Sequence, residues 1–418
     1  MLFILLLLAG CGDPSVISDP KDVQNLERNE KKEIIFWHSY GEEETRILEQ
    51  ELIPAFEKEH PHIRVTPLHL ANKNELRYTL IARTTSIRGP DVVRLDNSLV
   101  PEFSQKGLLQ PLSQYPEFEN IRRDLPSEEM DLGFHNNHYY SIPLNLYTKV
   151  AIYNRDLLNQ AGYTAPPRTM EEVFKVAREQ RSAVGLGGIE AWHTLPYIYS
   201  LGGTFTNKNF SKSTGYLNGK ETVRAVEQLL LLYKEKLLVF SLETGGFDNW
   251  EGVKDGNILM TDEGPWFYNL LNQTELKRSR NQTNSAQFPQ VKRTASIKGG
   301  ENLVILKGSQ KPDEAWTFIK WMSGKEPQLI MSRTGLIPAN KKAFHALEVD
   351  RNSYVYPYLE SLDSAFSRPP VKNWSRIDEL YTEYMRKIFQ GEMSVKDGLD
   401  RVASEIDKLL DDNGEKNE

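Results

Sequence analysis

Cysteine is almost absent from this chain of 418 residues, in which Cys11 is the only one. An intramolecular disulfide is therefore impossible, and the eight histidines are scattered without the spacing of a zinc site. The sequence also lacks a G-x-S-x-G, an H-E-x-x-H and a Walker motif. These absences remove the usual signatures of a metalloenzyme, a serine hydrolase and a nucleotide-binding enzyme.

An excess of positive charge is missing as well. The formal net charge is −7 at pH 7 and the pI is near 5.8, which argues against non-specific attraction to nucleic acid or to an anionic membrane surface. Hydrophobic residues make up 39% and aromatic residues 10% of the chain, enough for a globular fold. At this length we expect two domains with a crevice between them.

The N-terminal apolar run, LFILLLLAGC, covers about ten residues, whereas a membrane-spanning helix needs roughly 20. Its length is typical of a secretion signal. The segment Leu8–Cys11 resembles a bacterial lipobox, in which cleavage leaves a lipidated N-terminal cysteine. We therefore expect a signal peptide over 1–10 and lipid attachment at Cys11, with a plain cleaved signal as the alternative. Residues 11–32 are polar and turn-rich and predict a tether.

Strand-like and helix-like segments alternate after the tether. They predict, in order, strand Glu33–Trp37, helix Glu42–Glu59, strand Ile63–Pro67, helix Lys73–Thr84 and strand Val92–Leu95. This alternation is typical of an α/β fold with a mainly parallel sheet. Pro54 predicts a local distortion inside the first helix.

Polar triplets follow two of these strands. His38-Ser39-Tyr40 comes after the first strand, and Asp96-Asn97-Ser98 comes after the third. Ligands of open α/β sheets bind outside the carboxyl ends of the strands, so we expect both triplets to face one crevice. The alternative is that they form ordinary turns and helix caps, which favour Ser, Asp and Asn.

The second half of the chain continues the α/β pattern. Pro143 within an extended run predicts an edge or crossing strand. Thr169 followed by Glu172 has the spacing of a capping box and predicts the start of a helix. Further on, the pattern predicts helices Thr222–Lys236, Pro312–Ser323 and Ile377–Leu410, and strand Asn302–Leu306.

Several segments, in this order and spacing, resemble the extracytoplasmic solute-binding proteins of bacterial ABC importers, and among them the carbohydrate-binding group. They include FWHSYGEEE, GPDVVRLDNS, YYSIPLNLYTKVAIYNRDLLNQAGYTAPPRTMEE, ILMTDEGPW and GGENLVILKGSQKPDEAWTFIKWM. The resemblance extends from about residue 33 to residue 410. It implies a monomeric, lipid-anchored receptor without catalysis or cofactor, which delivers a sugar to permease subunits energised by a separate ATPase.

The same resemblance implies the two-lobed periplasmic-binding-protein fold of type II, with a mainly parallel sheet flanked by helices in each lobe. We expect lobe 1 to comprise 33–143 and 305–342, and lobe 2 to comprise 144–304 and 343–418. The three hinge crossings of that fold would lie near Ile142–Tyr147, Val304–Leu306 and Pro338–Phe344. Closure of such a hinge couples ligand binding to a shape that a partner recognises.

A sugar offers hydroxyl groups around patches of C–H surface, and its natural complement is carboxylates and amides beside aromatic faces. Trp266 is the foremost candidate, because Gly264-Pro265 makes a rigid turn before it. By the resemblance, the predicted ligand-binding residues are His38, Tyr40, Glu43, Asp96, Asn97, Tyr147, Glu190, Trp192, Trp266, Glu301, Arg368 and Trp374. The competing interpretation for each is core packing, a turn or solvent exposure. Trp316 and Trp321 are expected to pack in the core.

Three alternatives stay open from the sequence. A glycoside hydrolase would also have a cleft with aromatic residues and paired carboxylates. A related binding protein could take glycerol 3-phosphate, for which Arg94 and Arg368 would be the anion ligands, or a polyamine, which needs several carboxylates. A sensory or adhesive lipoprotein could use the same fold without a transporter.

Overall fold

The computed structural model describes residues 31–70, 79–80, 82, 89–241, 248–269, 271–290 and 295–411. The predicted signal peptide, Cys11, almost all of the tether and most of the predicted helix Lys73–Thr84 lie outside these residues. Within the described residues, no helix is both long enough and apolar enough to cross a membrane.

The described strands are β1 (Lys32–His38), β2 (Ile63–His69), β3 (Val92–Asp96), β4 (Phe134–His135), β5 (His138–Tyr139), β6 (Ile142–Thr148), β7 (Val150–Asn154), β8 (Ala183–Leu186), β9 (Leu238–Phe240), β10 (Ile258–Glu263), β11 (Thr283–Ala286), β12 (Ile297–Ile305), β13 (Ile337–Pro338) and β14 (Phe366–Ser367).

The described α-helices are α1 (Glu42–Ile47), α2 (Ile53–Glu59), α3 (Val100–Gln105), α4 (Phe118–Arg123), α5 (Ser127–Asp131), α6 (Arg155–Gln160), α7 (Met170–Gln180), α8 (Ala191–Ser200), α9 (Lys220–Lys234), α10 (Asn249–Asp255), α11 (Trp266–Asn269), α12 (Gln273–Gln282), α13 (Pro312–Met322), α14 (Lys325–Ser332), α15 (Lys341–His345), α16 (Tyr356–Leu362), α17 (Trp374–Phe389) and α18 (Val395–Asp411).

Two large sheets organise the described chain. In the first sheet the strand order is β13-β6-β12-β3-β1-β2, with β14 also paired to β12; in the second it is β11-β7-β10-β8-β9. The α/β class is confirmed. Each sheet combines parallel pairs, such as β1 with β2 and β3, with antiparallel pairs made by β6, β7 and β12. The two sheets are therefore mixed rather than mainly parallel, because β6 and β7 run against their neighbours and β12 runs against β3 and β6.

The chain moves from the first sheet to the second within one residue. β6 ends at Thr148, which pairs with Lys298 of β12, and β7 of the second sheet begins at Val150. Lys149 is the residue between them, and it is fully buried. The end of β6 and the start of β12 therefore lie where the two sheets meet.

The first long helical segment contains the distortion that Pro54 predicts. Helix α1 is followed by a π-helical turn, Leu48–Leu52, and then by α2, in which Pro54 stands in the first turn. Proline has no N–H to donate, and its ring clashes with the carbonyl one turn earlier. A π-turn immediately before proline accommodates both constraints.

Other local predictions are confirmed or corrected. Thr169 and Glu172 form the predicted capping box, with the Glu172 N–H donating to Thr169 Oγ1 at 3.2 Å. The strand predicted at Asn302 begins five residues earlier, at the start of β12. The predicted helical tail is two helices, α17 and α18, separated near Gly391, whose φ is 77°. A positive φ is unstrained only for glycine, so the helix ends there.

The described residues form three hydrophobic clusters, and one of them joins the first sheet to Val150, Ile152 and Ile258 of the second. Trp316 of α13 packs into the core of the first sheet, where its ring stacks on Tyr115 at 5.2 Å. Trp321 of the same helix is only half-buried and donates to Glu59 Oε2 at 3.1 Å. Helices α17 and α18 pack into the core of the second sheet. The core prediction is therefore confirmed for Trp316 and holds only in part for Trp321.

Candidate functional site

A cleft of about 690 Å³ lies between the ends of β3 and β6 on one side and helices α8, α11 and α17 on the other. Seven of the twelve predicted residues line it: Asp96, Tyr147, Glu190, Trp192, Trp266, Arg368 and Trp374. The structure thus brings together residues that are as far as 278 positions apart in sequence, from Asp96 to Trp374.

Three aromatic rings form the apolar part of the cleft. The ring of Tyr147 lies edge-on to both indoles, 5.7 Å from Trp192 and 5.3 Å from Trp266 between centroids. The two indoles are 6.5 Å apart and inclined by 32°. Edge-to-face contacts of this kind are favourable between aromatic rings. They hold the indoles in place, and the half-buried indoles still present surface to the cleft.

Trp266 is fixed by the turn that follows β10. Its Nε1–H donates to Glu263 Oε2 at 2.5 Å. The indole lies over Gly264, where an added Cβ would come within 2.3 Å of the ring. Burial raises the pKa of the Glu263 carboxyl. The hydrogen bond and the missing side chain at Gly264 together define one position for the indole.

Tyr147 is held in a similar way. An added Cβ at Gly299 of β12 would come within 2.3 Å of the Tyr147 ring. The Tyr147 hydroxyl donates to Asp96 Oδ2 at 2.9 Å, and burial together with the Asp96 charge raises its pKa well above the usual value. Tyr147 therefore stays a neutral hydroxyl donor directed at Asp96.

Asp96 at the end of β3 also binds Arg368. Arg368 Nη2 lies 2.9 Å from Asp96 Oδ1 and 3.0 Å from Asn97 Oδ1. The guanidinium lies 5.2 Å from the centroid of the Trp192 ring. Because the Arg368 charge is matched by a carboxylate within the protein, this cation does not require an anionic ligand.

Helix α17 supplies cleft residues that the sequence reasoning missed. Ser375, Asp378, Glu379, Thr382 and Arg386 all line the cleft. Their spacing of three and four positions puts them on one helical face. A polar stripe at this spacing was visible in the sequence, and it is the signal that could have found them. His193 of α8 is a further lining residue that was missed.

Asp378 connects α17 to the start of α8. Its Oδ1 accepts a hydrogen bond from the Ala191 N–H at 3.0 Å, at the N-terminus of α8. Burial raises the pKa of the Asp378 carboxyl to about 6, and the negative charge of Glu190 adds to this effect. Asp378 and Glu190 therefore lie side by side on one wall of the cleft.

The structure places the other predicted residues outside the cleft lining. His38 and Tyr40 are buried at 0% and 1% exposure, because Trp37 pairs with Val93 in the parallel β1–β3 register. This register puts His38 level with Arg94, two residues short of Asp96. Burial and the Arg94 charge lower the pKa of His38 to about 3. His38 and Tyr40 thus belong to the core, which corrects the expectation that they face the cleft.

Glu301 also lies in the core rather than on the cleft surface. Its carboxylate forms an ion pair with Arg94 at 2.9 Å, and both side chains are less than 10% exposed. The Asn145 amide donates to the same Glu301 oxygen at 2.6 Å. The Tyr40 ring covers the Arg94 guanidinium at 4.1 Å. This cluster joins β3, β6 and β12.

Asn97 and Glu43 are the last two of the twelve predicted ligand-binding residues. Asn97 is buried behind the cleft, where its Oδ1 accepts from Arg368. Glu43 is exposed on α1 and paired with Arg46 at 2.6 Å. Acidic residues in a first helical turn are favoured by the helix dipole without any ligand. Among the described residues, no group of three or more His, Cys, Asp or Glu side chains is arranged to hold a metal ion.

Comparison with known proteins identifies the family. The model of the bacterial extracellular solute-binding protein family matches residues 41–329, which is more than half of the chain. The chain belongs to this family. The resemblance to solute-binding proteins that the sequence showed is therefore confirmed.

Relatives of this solute-binding protein include the maltotriose-binding protein of Pyrococcus abyssi, 20% identical over 80% of this chain and 73% of that protein. The diacetylchitobiose binding protein DasA of Streptomyces coelicolor is 22% identical over 81% of each chain. Among solved structures, the GacH receptor of Streptomyces glaucescens has a TM-score of 0.80 at 24% identity, covering 91% of this chain and 99% of that one. These matches confirm the two-lobed fold class.

The buried Arg94–Glu301 pair generates a stability prediction. Replacing Glu301 by Leu leaves the Arg94 charge buried without its carboxylate, so we expect the free energy of unfolding to fall by about 3–5 kcal/mol. Urea denaturation followed by circular dichroism measures this change. Glu43→Ala is the matched control, because it removes an exposed partner of Arg46 and should cost less than about 1 kcal/mol. Equal effects of the two substitutions would contradict this account of Glu301.

Asp378 generates a pH prediction for this solute-binding protein. Its pKa rises from an ordinary 3.8 to about 6 on folding, so the folded state keeps a proton that the unfolded chain loses between about pH 4 and 6. The raised pKa therefore costs stability as pH rises through this window. Asp378→Asn removes this cost. At about 1.4 kcal/mol per pKa unit, its stability relative to wild type should improve by roughly 2–3 kcal/mol between pH 4 and pH 7.5.

Urea denaturation of the variant and of wild type at both pH values measures this difference. The other carboxylates are common to both proteins, so their contributions to the pH dependence cancel in the comparison. Glu379→Gln is the control, because Glu379 is exposed beside Asp378 and pairs with Arg376. Any change in its stability relative to wild type between the two pH values should be smaller than the change for Asp378→Asn. A constant difference for Asp378→Asn would show that Asp378 titrates normally.

Proposed function

We propose that this protein is the substrate-binding receptor of an ABC importer and that it captures a sugar or oligosaccharide in the cleft. The observation that carries the proposal is the set of three aromatic rings, Tyr147, Trp192 and Trp266, beside the carboxylates Glu190 and Asp378. Ring faces complement the C–H surface of a sugar, and carboxylates accept hydrogen bonds from its hydroxyl groups. The maltotriose-binding and diacetylchitobiose-binding relatives support the same class of ligand.

A phosphorylated polyol has less support as the ligand. Its phosphate would need a free cation or a helix N-terminus in the cleft. The two arginines that the sequence offered for this role are paired within the protein, Arg94 with Glu301 and Arg368 with Asp96. An incoming phosphate would have to compete with these carboxylates.

We also propose that the protein performs no chemistry. A glycoside hydrolase places two carboxylates on either side of the scissile bond, about 5–9.5 Å apart. Four carboxylates line this cleft: Asp96, Glu190, Asp378 and Glu379. Glu190 and Asp378 lie side by side on one wall at the start of α8, with Glu379 next to Asp378 on α17. Asp96, on the other side, is already bonded to the Tyr147 hydroxyl and to Arg368. A sugar lying on that wall would be bonded from one side only.

For the lobes we propose the division 33–143 with 305–342, and 144–304 with 343–418. Strands β6 and β12, which end and begin where the two sheets meet, supply two of the crossings between them. We further propose that Cys11 carries lipid and that residues 11–32 tether an extracytoplasmic, monomeric receptor near its permease subunits. The family to which the chain belongs is described as extracellular, which supports this location.

The ligand class is tested by thermal shift of the chain from Lys31 onward, screened against saccharides, glycerol phosphates and polyamines. A saccharide at about 100 times its Kd should add roughly 2.7 kcal/mol of stability. In the protein Trp266→Ala, affinity for that saccharide should fall by about 2 kcal/mol or more with the fold intact, measured by calorimetry. Trp321→Ala, outside the cleft, is the matched control and should keep the wild-type affinity. A response to phosphates or polyamines alone would overturn the sugar proposal.

The anchor is tested by Cys11→Ser in the full-length protein expressed in a bacterial host. Loss of the lipid should move the protein from the membrane fraction to the soluble fraction, because acyl chains alone would hold it at the bilayer. Fractionation of wild type and variant side by side measures this change. An unaltered distribution would refute the lipid anchor.

A further inference from the structure

A buried polar chain lies directly behind the cleft wall. The Tyr197 hydroxyl donates to Asp262 Oδ1 at 2.9 Å, and Lys149 Nζ donates to Asp262 Oδ2 at 2.7 Å. Lys149 Nζ also lies 3.2 Å from His193 Nδ1. The Lys149 and Asp262 side chains are both 0% exposed. The chain ends at His193, whose ring lines the cleft beside Trp192 and Glu190.

The position of Lys149 determines which nitrogen of His193 carries the proton. An ammonium group has three donors and no acceptor, so His193 Nδ1 must accept. In a neutral imidazole the proton is then on Nε2. Burial, together with the Lys149 charge, lowers the pKa of His193 well below its usual value. His193 is thus a neutral ring with one N–H, at Nε2.

The orientation of the His193 ring is also restricted. An added Cβ at Gly187 would lie 2.4 Å from His193 Cε1 and 2.5 Å from Nδ1, and one at Gly188 would lie 3.1 Å from Cδ2. The ring therefore packs on the backbone of the loop that follows β8, in space that only glycine leaves open. The glycine pair and the Lys149 contact hold the ring in one orientation.

Other ionisable groups around this ring do not change the assignment. Asp262 of β10 binds Lys149 and accepts from Tyr197, which lies one helical turn further along α8. Glu263 of the same strand accepts from the Trp266 indole and interacts with the Lys149 charge. Glu190 precedes the same helix and lines the cleft with His193. An ion pair this deeply buried is costly to desolvate and is a weak contributor to stability.

We propose that His193 Nε2–H donates a hydrogen bond to a hydroxyl or glycosidic oxygen of the sugar, and that Lys149 is a positioning residue that fixes this tautomer. The proposal rests on the proposed sugar-binding function and adds a specific polar contact to it. A donor that is neutral and held in one orientation loses little freedom on binding. It selects an oxygen acceptor without attracting an anion.

The tautomer is tested on the ligand-free wild-type protein. Long-range 15N–1H correlation spectra of the histidine side chains, recorded from pH 5.5 to 8, should show His193 as an Nε2–H tautomer that does not titrate. The buried His38, whose Nδ1 accepts from the Tyr40 N–H and whose pKa is about 3, should give a second signal of this kind. The variant His193→Gln assigns the His193 signal by its disappearance. A His193 ring that is protonated at Nδ1, or that titrates near pH 6.5, would overturn the proposal. This readout needs no ligand, so its result is separate from that of the sugar-binding function.

The role of Lys149 is tested in Lys149→Met with the same spectra. Without the ammonium, the pKa of His193 should move towards its usual value and both neutral tautomers should appear. Unchanged His193 signals in a folded variant would remove Lys149 as the positioning residue. If the variant does not fold, the wild-type spectra still decide between the tautomers.

The contact with the ligand is tested by calorimetry with maltotriose as the probe. His193→Phe keeps an aromatic ring but removes the donor, and affinity should fall about tenfold. His193→Gln keeps an N–H donor and should lie within about threefold of wild type. His345→Gln, on the exposed helix α15, is the control and should bind as wild type. Equal affinity of the Phe and Gln variants would refute the hydrogen bond.

Wild-type protein that binds neither maltotriose nor any other saccharide would contradict the proposed function instead. In that case the absence of a bound sugar also overturns the contact assigned to His193, while the spectra continue to test the tautomer. The two failures are therefore distinguishable.

Discussion

The carboxylate of Asp96 is the interaction on which the cleft depends. It accepts hydrogen bonds from the Tyr147 hydroxyl and from Arg368, and its own Oδ1 accepts from the Ser98 N–H at 2.9 Å. These contacts join the end of β3, the end of β6 and the segment after β14. Tyr147 in turn contacts both indoles of the cleft, and Arg368 lies over Trp192. Loss of this one carboxylate would release the Tyr147 hydroxyl and leave Arg368 without its ion pair.

Three buried cations near the cleft are each paired with a carboxylate of the protein itself. Arg94 pairs with Glu301, Lys149 with Asp262, and Arg368 with Asp96. Desolvated charges are tolerated only when paired in this way. These three cations therefore do not require an anionic ligand, which suits a ligand rich in hydroxyl groups.

The sequence was sufficient to predict much of the fold and part of the site. Strand and helix alternation, the capping box at Thr169 and the distortion at Pro54 depend on local chemistry, and the structure contains all three. Trp266 was expected in the cleft because a Gly-Pro turn fixes the chain before it, and it lines the cleft. These features are readable from neighbouring residues.

The features that could not be predicted from the sequence depend on contacts between segments that are distant in the chain. The β1–β3 register puts His38 level with Arg94 and so takes it, together with Tyr40, into the core. A one-strand pattern does not contain this register. The antiparallel directions of β6 and β12 could not be predicted either, because they also depend on pairing with distant strands. The contact between Lys149 and His193 joins residues 44 positions apart, and no local sequence motif predicts it.

The central claim is that a saccharide binds against the indoles of Trp192 and Trp266. A crystal structure of the protein grown with maltotriose, or with the saccharide that it binds most tightly, tests this claim most directly. We expect a sugar ring in van der Waals contact, about 4 Å, with at least one of these indoles. The same sugar should be hydrogen-bonded to the carboxylates of Glu190 and Asp378. A saccharide bound elsewhere on the molecule, with both indoles uncontacted, would contradict this claim.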